Sequence, residues 1–304
     1  MVQENKKSMK IVLIGHRGYI GIGLNHYLNK NHDVIGWDKE EDIHKLTSDF
    51  LEKNKVDAII NLAVIDARGS LNYQINTVTE HVTVNGARHL ANILSDSEIS
   101  WFQLSTREVF GPVYGPDDVI LSDSGYRPKF LVNEDFPFAP TNFYGKSKIV
   151  AEYISESHSK SNIIRLTTGY TDFDNPVGGW IKGLVSGVVN NGEVTLARGG
   201  LQFRDPLHTD DLGQLIEKLF ENKIYGQKIN AGGGAENLLS LNEFVKLVDP
   251  NVKVISSDGG DYGFAFDISK AFKLVAWKPQ VLLRDKVPVI SENIRTGNTG
   301  TSKN

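Results

Sequence analysis

Tyr144 and Lys148 stand four positions apart, and their types and spacing suit proton transfer. In a helix spanning about 142–158, the two side chains lie on one face. A nearby ammonium favours the phenolate, so Lys148 should lower the pKa of Tyr144 below the ordinary value of about 10. Such a phenol acts as a base toward an alcohol. Thr106 adds a hydroxyl that could hold the reacting oxygen. These groups suit moving a proton on and off an alcohol while a hydride leaves or arrives.

A short apolar strand, a glycine turn and a helix predict where a dinucleotide binds. Residues 10–14 form the apolar run, and Gly15, Gly18 and Gly21 follow in a G-x-x-G-x-x-G pattern. Glycines let the backbone approach a pyrophosphate, and the helix N-terminus favours its charge. No Walker pattern follows, which argues against a nucleoside triphosphatase. The predicted cofactor-binding residues in this turn and at the neighbouring strand ends are Gly15, Arg17, Gly18, Tyr19, Ile20, Gly21, Asp38, Leu62 and Ala63.

The type of dinucleotide depends on Asp38, at the end of a second predicted strand over 33–37. An acidic residue about 20 positions after the glycines can accept a hydrogen bond from a ribose hydroxyl. Its charge would repel a 2′-phosphate, which favours NAD. Arg17 points to the alternative, since a guanidinium in the glycine turn could meet that phosphate. The prediction is NAD, with NADP as the alternative.

Apolar runs alternating with helical stretches predict an α/β fold of the Rossmann type, with a doubly wound parallel sheet. Further strands are predicted at 56–63, 99–104 and 162–166, and long helices at 71–94 and 142–158. Residues 9–166 are predicted to form the dinucleotide-binding domain. Residues 167–290 mainly form a smaller α+β substrate-binding domain, with segments around 204–231 returning to the first. The proline-rich stretch 111–141 is either a substrate lid or a surface insertion, and 1–8 and 297–304 are predicted to be disordered.

Composition narrows the class of protein. The chain has 304 residues, of which 40% are hydrophobic and 23% charged, as in a globular protein. Its net charge of −4 argues against nucleic acid as the main partner. With no cysteine there is no disulfide or thiolate site, and the scattered histidines predict no metal site. No apolar run approaches the length of a membrane span, so no membrane association and a cytoplasmic location are expected.

Taken together, these motifs resemble the extended short-chain dehydrogenase/reductases, the NAD-dependent epimerase/dehydratase family, over roughly residues 9–290. The markers are the glycine turn at 15–21, Asp38, Asn61-Leu62-Ala63, Ser105-Thr106 with Val109-Phe110-Gly111, Tyr144-x-x-x-Lys148 with Ala151-Glu152, Arg204-Asp205 with His208 and Asp211, and Trp277-Lys278-Pro279. The resemblance implies that Tyr144 is the acid/base, that Lys148 lowers its pKa and holds the nicotinamide ribose, and that Thr106 bonds the reacting oxygen. It also implies that Tyr144 and Lys148 are both cofactor-binding residues.

The resemblance also implies a nucleotide-activated sugar as substrate. Ser105 and Thr106 would contact the sugar, and Arg204 would bind its diphosphate, since a guanidinium fork matches phosphate. Among the departures of this sequence from the family, one bears on the dehydratase alternative and another on the diphosphate site. Arg107 replaces an acid of the 4,6-dehydratases, although Glu108 remains. Members of the family commonly have a second phosphate-binding arginine late in the chain, but no arginine lies between Ser256 and Asp267. One of the two diphosphate contacts is therefore missing, and the substrate is either an unusual nucleotide sugar or a different molecule.

These considerations predict an NAD-dependent epimerase or related oxidoreductase that works through a transient keto-sugar. A keto-sugar reductase and a dehydratase or decarboxylase using Glu108 are the alternatives, and a non-catalytic dinucleotide-sensing protein is the alternative of another class. The family often dimerises through its two long helices. Here these contain apolar Val78, Val82, Ile149 and Val150, so a homodimer is expected.

Overall fold

A computed structural model describes residues 8–64, 74–173 and 179–297. Its strands, in chain order, are β1 Lys10–Ile14, β2 Asp33–Trp37, β3 Ala58–Asn61, β4 Ser100–Thr106, β5 Val119–Ser122, β6 Gly125–Pro128, β7 Ser161–Leu166, β8 Gly169–Tyr170, β9 Glu193–Ala197, β10 Phe203–Arg204, β11 Leu207–His208, β12 Gln227–Ala231, β13 Leu239–Ser240 and β14 Lys253–Ser257. The predicted disordered ends lie outside the described residues except for Ser8 and Gly297.

The α-helices are α1 Tyr19–Leu28, α2 Ser48–Lys53, α3 Thr77–Thr79, α4 Gly86–Ile93, α5 Phe143–Ser155, α6 Trp180–Asn191, α7 Thr209–Glu221, α8 Leu241–Val248, α9 Ser269–Val275 and α10 Leu283–Thr296. The segment Glu80–Asn85 between α3 and α4 is a π-helix. The single helix predicted over 71–94 is therefore interrupted, and part of it lies outside the described residues. No described helix is both long enough and apolar enough to span a membrane.

Six strands form one sheet in the order β12-β7-β4-β3-β1-β2. β1 pairs in parallel with both β2 and β3, and β3 pairs in parallel with β4. The strand order reverses between β1 and β3, which is where the carboxyl edge of such a sheet opens a crevice for ligands. The predicted Rossmann-type α/β fold is confirmed, and the glycine turn after β1 lies at this reversal.

The core of the sheet follows from its apolar strands. Ile11, Val12 and Leu13 of β1 are inaccessible to solvent, because the strand is covered on both faces. One layer of this core combines β1, β3 and β4 with α4 and α5 in a buried cluster that includes Val12, Ile14, Ile59, Leu90, Trp101 and Ala151. Packing against this cluster holds the strand ends at fixed relative positions.

The chain divides into two compact units. The first comprises Met1–Val109, Pro140–Arg165 and Ile216–Ile229, and it contains most of the parallel sheet. The second comprises Phe110–Ala139, Leu166–Leu215 and Asn230–Asn304. The sequence-based domains remain predictions. They assign 110–139 to the first domain, whereas contacts group this stretch with the second unit, and of the segments around 204–231 only 216–229 groups with the first unit.

The second unit is built from short strand pairs and an aromatic core. β5 and β6 form an antiparallel hairpin within the stretch predicted to be a loop, and β9 pairs in parallel with β14. Phe110 packs against Phe264 and Phe266, with ring centroids 6.4 and 6.0 Å away. Pairing between strands distant in sequence explains why β9 and β14 escaped prediction.

Candidate active site

In the glycine turn the backbone folds back, so that Gly21 lies against the carbonyl oxygen of Gly15. Gly15 has a φ of +85°, and its amide donates to the Trp37 carbonyl at 2.7 Å. A Cβ on Gly21 would lie 2.0 Å from the Gly15 carbonyl oxygen, so only glycine fits there. α1 begins after Gly18 without a side-chain cap and without an acidic residue in its first turn, where Tyr19 and Ile20 stand. This uncapped helix N-terminus fits a pyrophosphate.

Asp38, the predicted ribose-binding acid, lies against the glycine turn. Its carboxylate accepts from the Arg17 amide at 2.8 Å. Nδ1 of His16 is buried without a hydrogen-bond partner and lies 3.7 Å from the same carboxylate. A ribose hydroxyl bound here would give both the Asp38 carboxylate and His16 Nδ1 a hydrogen-bond partner, so these two groups fit a ribose.

Arg17 does not face an open phosphate site. Its guanidinium pairs with Glu40 at 3.0 Å and lies 3.8 Å from Glu41. These two carboxylates, together with Asp38, create a negative environment that would repel a 2′-phosphate. The charges around Arg17 therefore favour NAD over NADP.

The segment after β3 runs beside the glycine turn. The Leu62 amide donates to the Ile14 carbonyl at 3.0 Å, and the Ala63 amide donates to Asn61 Oδ1 at 3.1 Å. Asn61 in turn donates to Gln103 at 2.9 Å, which links the ends of β3 and β4. Leu62 and Ala63 are thus held at the carboxyl edge of the sheet, where their small or apolar surface is partly exposed.

Thr106 ends β4 and is hydrogen-bonded to the Tyr144 side chain at the start of α5. Burial of the phenol raises the pKa of Tyr144 to about 12, while the Thr106 bond lowers it and the Glu108 carboxylate raises it further. The sequence-based expectation of a lowered pKa for Tyr144 is wrong for the protein without a ligand. Desolvation penalises the phenolate, and Lys148 does not offset that penalty.

Lys148 shares a helix face with Tyr144, but its ammonium bonds to backbone. Nζ donates to the Leu104 carbonyl at 3.0 Å and to the Ala63 carbonyl at 3.5 Å. Its distance to the centre of the Tyr144 ring is 6.0 Å. Burial lowers the pKa of Lys148 to about 8, and the nearby Glu152 carboxylate raises it. The ammonium is therefore a buried charge held at the ends of β3 and β4.

A buried network supports this helix, and its internal contacts were not predicted. Glu152 accepts from Arg165 at 2.8 Å, and both side chains are almost completely inaccessible to solvent. The Ser105 hydroxyl donates to Glu152 at 2.5 Å. The prediction that Ser105 binds substrate thus meets a competing bond, which a substrate would have to displace. The sequence signal for this network was the acidic residue four positions after Lys148.

Glu108 is held beside the same group. Its carboxylate accepts from Asn142 Nδ2 at 3.0 Å and pairs with Arg107 at 3.3 Å. Asn142 also caps α5, accepting from the Gly145 amide at 2.7 Å. The cap therefore ties Glu108 to the helix that carries Tyr144. Asn142 was not singled out from the sequence, although asparagine before a helix is a common capping signal.

Arg204 lies in the second unit on β10. Its Nη2 bonds both carboxylate oxygens of Asp261, at 3.0 and 2.9 Å, and its Nη1 donates to the Phe203 carbonyl at 2.7 Å. The predicted diphosphate-binding guanidinium is thus already paired with a carboxylate. Asp261 stands in the stretch where the sequence lacks a second arginine.

The chain is similar in sequence and in fold to several known proteins. Residues 11–232 match the model of the NAD dependent epimerase/dehydratase family. CDP-paratose 2-epimerase of Salmonella typhi is 24% identical, with 92% of this chain and 97% of that protein covered. dTDP-glucose 4,6-dehydratase of Escherichia coli is 22% identical, with coverages of 90% and 89%. UDP-glucuronic acid 4-epimerase of Bacillus cereus, solved with UDP-glucuronic acid and NAD, has the same fold, with a TM-score of 0.77, 20% identity and coverages of 95% and 99%.

The buried Lys148 ammonium predicts a specific pH dependence of stability. The pKa of Lys148 is about 8 in the folded protein against an ordinary 10.5, so between these pH values the unfolded chain binds more protons. The contribution of Lys148 to the free energy of unfolding is therefore lowest below pH 8. It rises up to about pH 10.5, by about 3 kcal/mol in total. Lys148→Met removes this rise. Denaturant unfolding from pH 7 to pH 10.5 should show the wild type gaining about that much relative to the variant.

Lys146→Met is the matched control, because Lys146 is an exposed lysine of the same helix. Its profile should follow that of the wild type. Parallel profiles for wild type and Lys148→Met would contradict the assignment of a desolvated ammonium.

Proposed function

Since the chain belongs to the NAD-dependent epimerase/dehydratase family, we propose that it epimerises a nucleotide-activated sugar through a transient keto-sugar. The observation that carries the proposal is the convergence of Thr106, Tyr144 and Lys148 beside the glycine turn, all within the first unit. NAD is the cofactor. The residues predicted to bind it are those of the turn at 15–21, Asp38, Ala63 and Lys148.

The chain's own residues supply the proton chemistry. Bound NAD would supply a positively charged nicotinamide that accepts a hydride from the sugar carbon and gives it back. Tyr144 takes the hydroxyl proton as the alcohol becomes a ketone and returns a proton when the alcohol re-forms. Thr106 orients the reacting oxygen. The ketone has lost the configuration at its carbon, so that re-formation of the alcohol can yield the epimer.

The raised pKa of Tyr144 has a consequence for this proposal. At a pKa of about 12 the phenol is protonated in the ligand-free protein at neutral pH. It becomes an effective base only when added positive charge or a hydrogen-bonded hydroxyl favours the phenolate. We therefore infer that Tyr144 removes a proton only once cofactor and substrate are bound.

Glu108 supports a second candidate function. Its charge raises the pKa of Tyr144, which puts the carboxylate close to the phenol, and Asn142 and Arg107 hold it there. A positioned carboxylate beside the acid/base could remove a carbon-bound proton, as a dehydratase requires. Arg107 stands where the 4,6-dehydratases have their acid, which favours the epimerase.

A homodimer and a cytoplasmic location remain predictions. In the first unit the side chains of Val78 and Val150 are exposed, at 48% and 42%. Val82 and Ile149 are half-buried. The exposed pair leaves an apolar surface on the two helices through which a second copy is expected to bind.

The acid/base role of Tyr144 is tested by Tyr144→Phe. Losing the proton-transfer group should lower kcat by roughly 10²- to 10⁴-fold, with NAD still bound. Tyr153→Phe removes the same hydroxyl from an exposed position of α5 and should leave kcat unchanged. Steady-state turnover and NAD content of both variants measure this. Full turnover in Tyr144→Phe would rule out the proposed mechanism.

The epimerase assignment predicts that the purified protein carries oxidised NAD and leaves it unchanged. Native mass spectrometry followed by denaturing release should identify the bound form. Turnover of a panel of nucleotide sugars should give a product of the same mass, without net NADH formation or loss.

Other outcomes would replace the assignment. Consumption of added NADH in proportion to product identifies a reductase. Loss of water or carbon dioxide from the substrate identifies a dehydratase or a decarboxylase. NAD binding without turnover of any sugar in the panel identifies a sensing protein.

Arg204 is proposed to bind a substrate phosphate in competition with Asp261. The carboxylate already neutralises the guanidinium, so a phosphate must break that pair or share it. Asp261→Asn removes the competing charge and should tighten binding of a nucleoside diphosphate such as UDP by about tenfold. Asp258→Asn, in the same loop but exposed, should change it little. Calorimetric titration measures both, and weaker or unchanged binding by Asp261→Asn would refute this role.

A further inference from the structure

Three potential metal ligands converge in the first unit, away from Thr106, Tyr144 and Lys148. One ligand atom each of Asp42, His44 and His81 lies within 4.8 Å of the others. Asp42 and His44 belong to the turn after β2, where Asp42 caps the short 3₁₀-helix Ile43–Lys45. His81 lies in the π-helical segment before α4. The sequence suggested no metal site, because His44 and His81 are far apart in the chain and follow no ligand spacing.

The imidazole rings of His44 and His81 lie close together at a tilt, and one ring nitrogen makes no hydrogen bond. The centroids of the His44 and His81 rings are 4.3 Å apart, with the planes inclined by 34°. Nε2 of His44 is buried and makes no hydrogen bond. Buried polar atoms are almost always paired, so an unpaired ring nitrogen within a group of ligands points to a missing partner.

A neighbouring histidine fixes the position of the His44 ring. His89 packs against it at 5.6 Å between centroids, at an interplanar angle of 60°. His89 Nε2 lies 2.7 Å from the Leu46 carbonyl and must donate to it, because a carbonyl only accepts. This bond ties the segment that follows the 3₁₀-helix to α4, next to the His44 ring.

The ligand chemistry identifies the class of ion. Two imidazoles and one carboxylate suit late first-row divalent metals such as Zn²⁺, whereas Mg²⁺ and Ca²⁺ prefer sets composed entirely of oxygen. We propose that Asp42, His44 and His81 form a Zn²⁺-type site, with water in the fourth position. His81 is exposed, which gives the ion a path of entry from solvent.

A bound ion would connect the turn after β2 with the helical segment at 80–93. The Asp42 amide donates to the Asp38 carbonyl at 3.0 Å, so the turn is also tied to the predicted ribose-binding acid. The site therefore adjoins the predicted cofactor site while remaining distinct from the proton-transfer group. Its expected effect is to stabilise the fold through binding to the native state alone.

Zn²⁺ titration of the full chain without an affinity tag tests the proposal. Calorimetry and native mass spectrometry should show one equivalent bound to the wild type, and the thermal midpoint should rise with Zn²⁺ concentration. Loss of an outer-shell partner already weakens metal sites by about 10- to 100-fold, so His44→Ala and His81→Ala should each lose at least that much affinity. Mg²⁺ should not compete.

His26→Ala is the control, because His26 is an exposed histidine of α1 outside the cluster. It should bind Zn²⁺ as the wild type does. Circular dichroism without metal establishes that each variant is folded. Equal Zn²⁺ affinity in the wild type and the His44→Ala/His81→Ala double variant, or no binding by the wild type, would overturn the assignment. Co²⁺ absorption that disappears in the double variant would identify the imidazole ligands independently.

Discussion

The buried ammonium of Lys148 constrains much of the surrounding first unit. A desolvated charge is costly unless hydrogen bonds and opposite charge compensate it. Here compensation comes from the carbonyls of Leu104 and Ala63, where two parallel strands end, and from Glu152 one turn along α5. The lysine thus requires both the sheet edge and the helix to be in place. Its lowered pKa records a cost in stability that the fold tolerates at this position.

The same arrangement explains why Tyr144 is not yet a base. The phenol is desolvated, Glu108 adds negative charge, and the ammonium contacts backbone rather than the ring. The contact with Thr106 favours the phenolate. The phenol is therefore kept protonated at neutral pH, and a positively charged cofactor would favour the phenolate that the proposed chemistry requires.

Two arginines that the sequence suggested for phosphate binding, one in each unit, have acidic neighbours. In the first unit, Asp38, Glu40 and Glu41 surround Arg17 and disfavour an additional phosphate. At Arg204, Asp261 occupies the guanidinium that would otherwise attract a diphosphate. In both places an acidic residue offsets an arginine that, read alone, suggests phosphate binding. We therefore expect phosphate binding at both places to depend on the charge of the neighbouring side chains as well as on the arginines.

The sequence by itself determined the parallel sheet, the glycine turn and the helix that carries Tyr144 and Lys148. These features are local, because continuous apolar runs, glycine spacing and a four-residue helical repeat are visible within short windows. β1 and β2 were predicted at their observed bounds, and α5 within a few residues. Only the tertiary structure decided the raised pKa of Tyr144, the pairing of Arg204 with Asp261 and the meeting of His44 with His81. Those properties depend on burial and on contacts between residues distant in the chain, which no local pattern encodes.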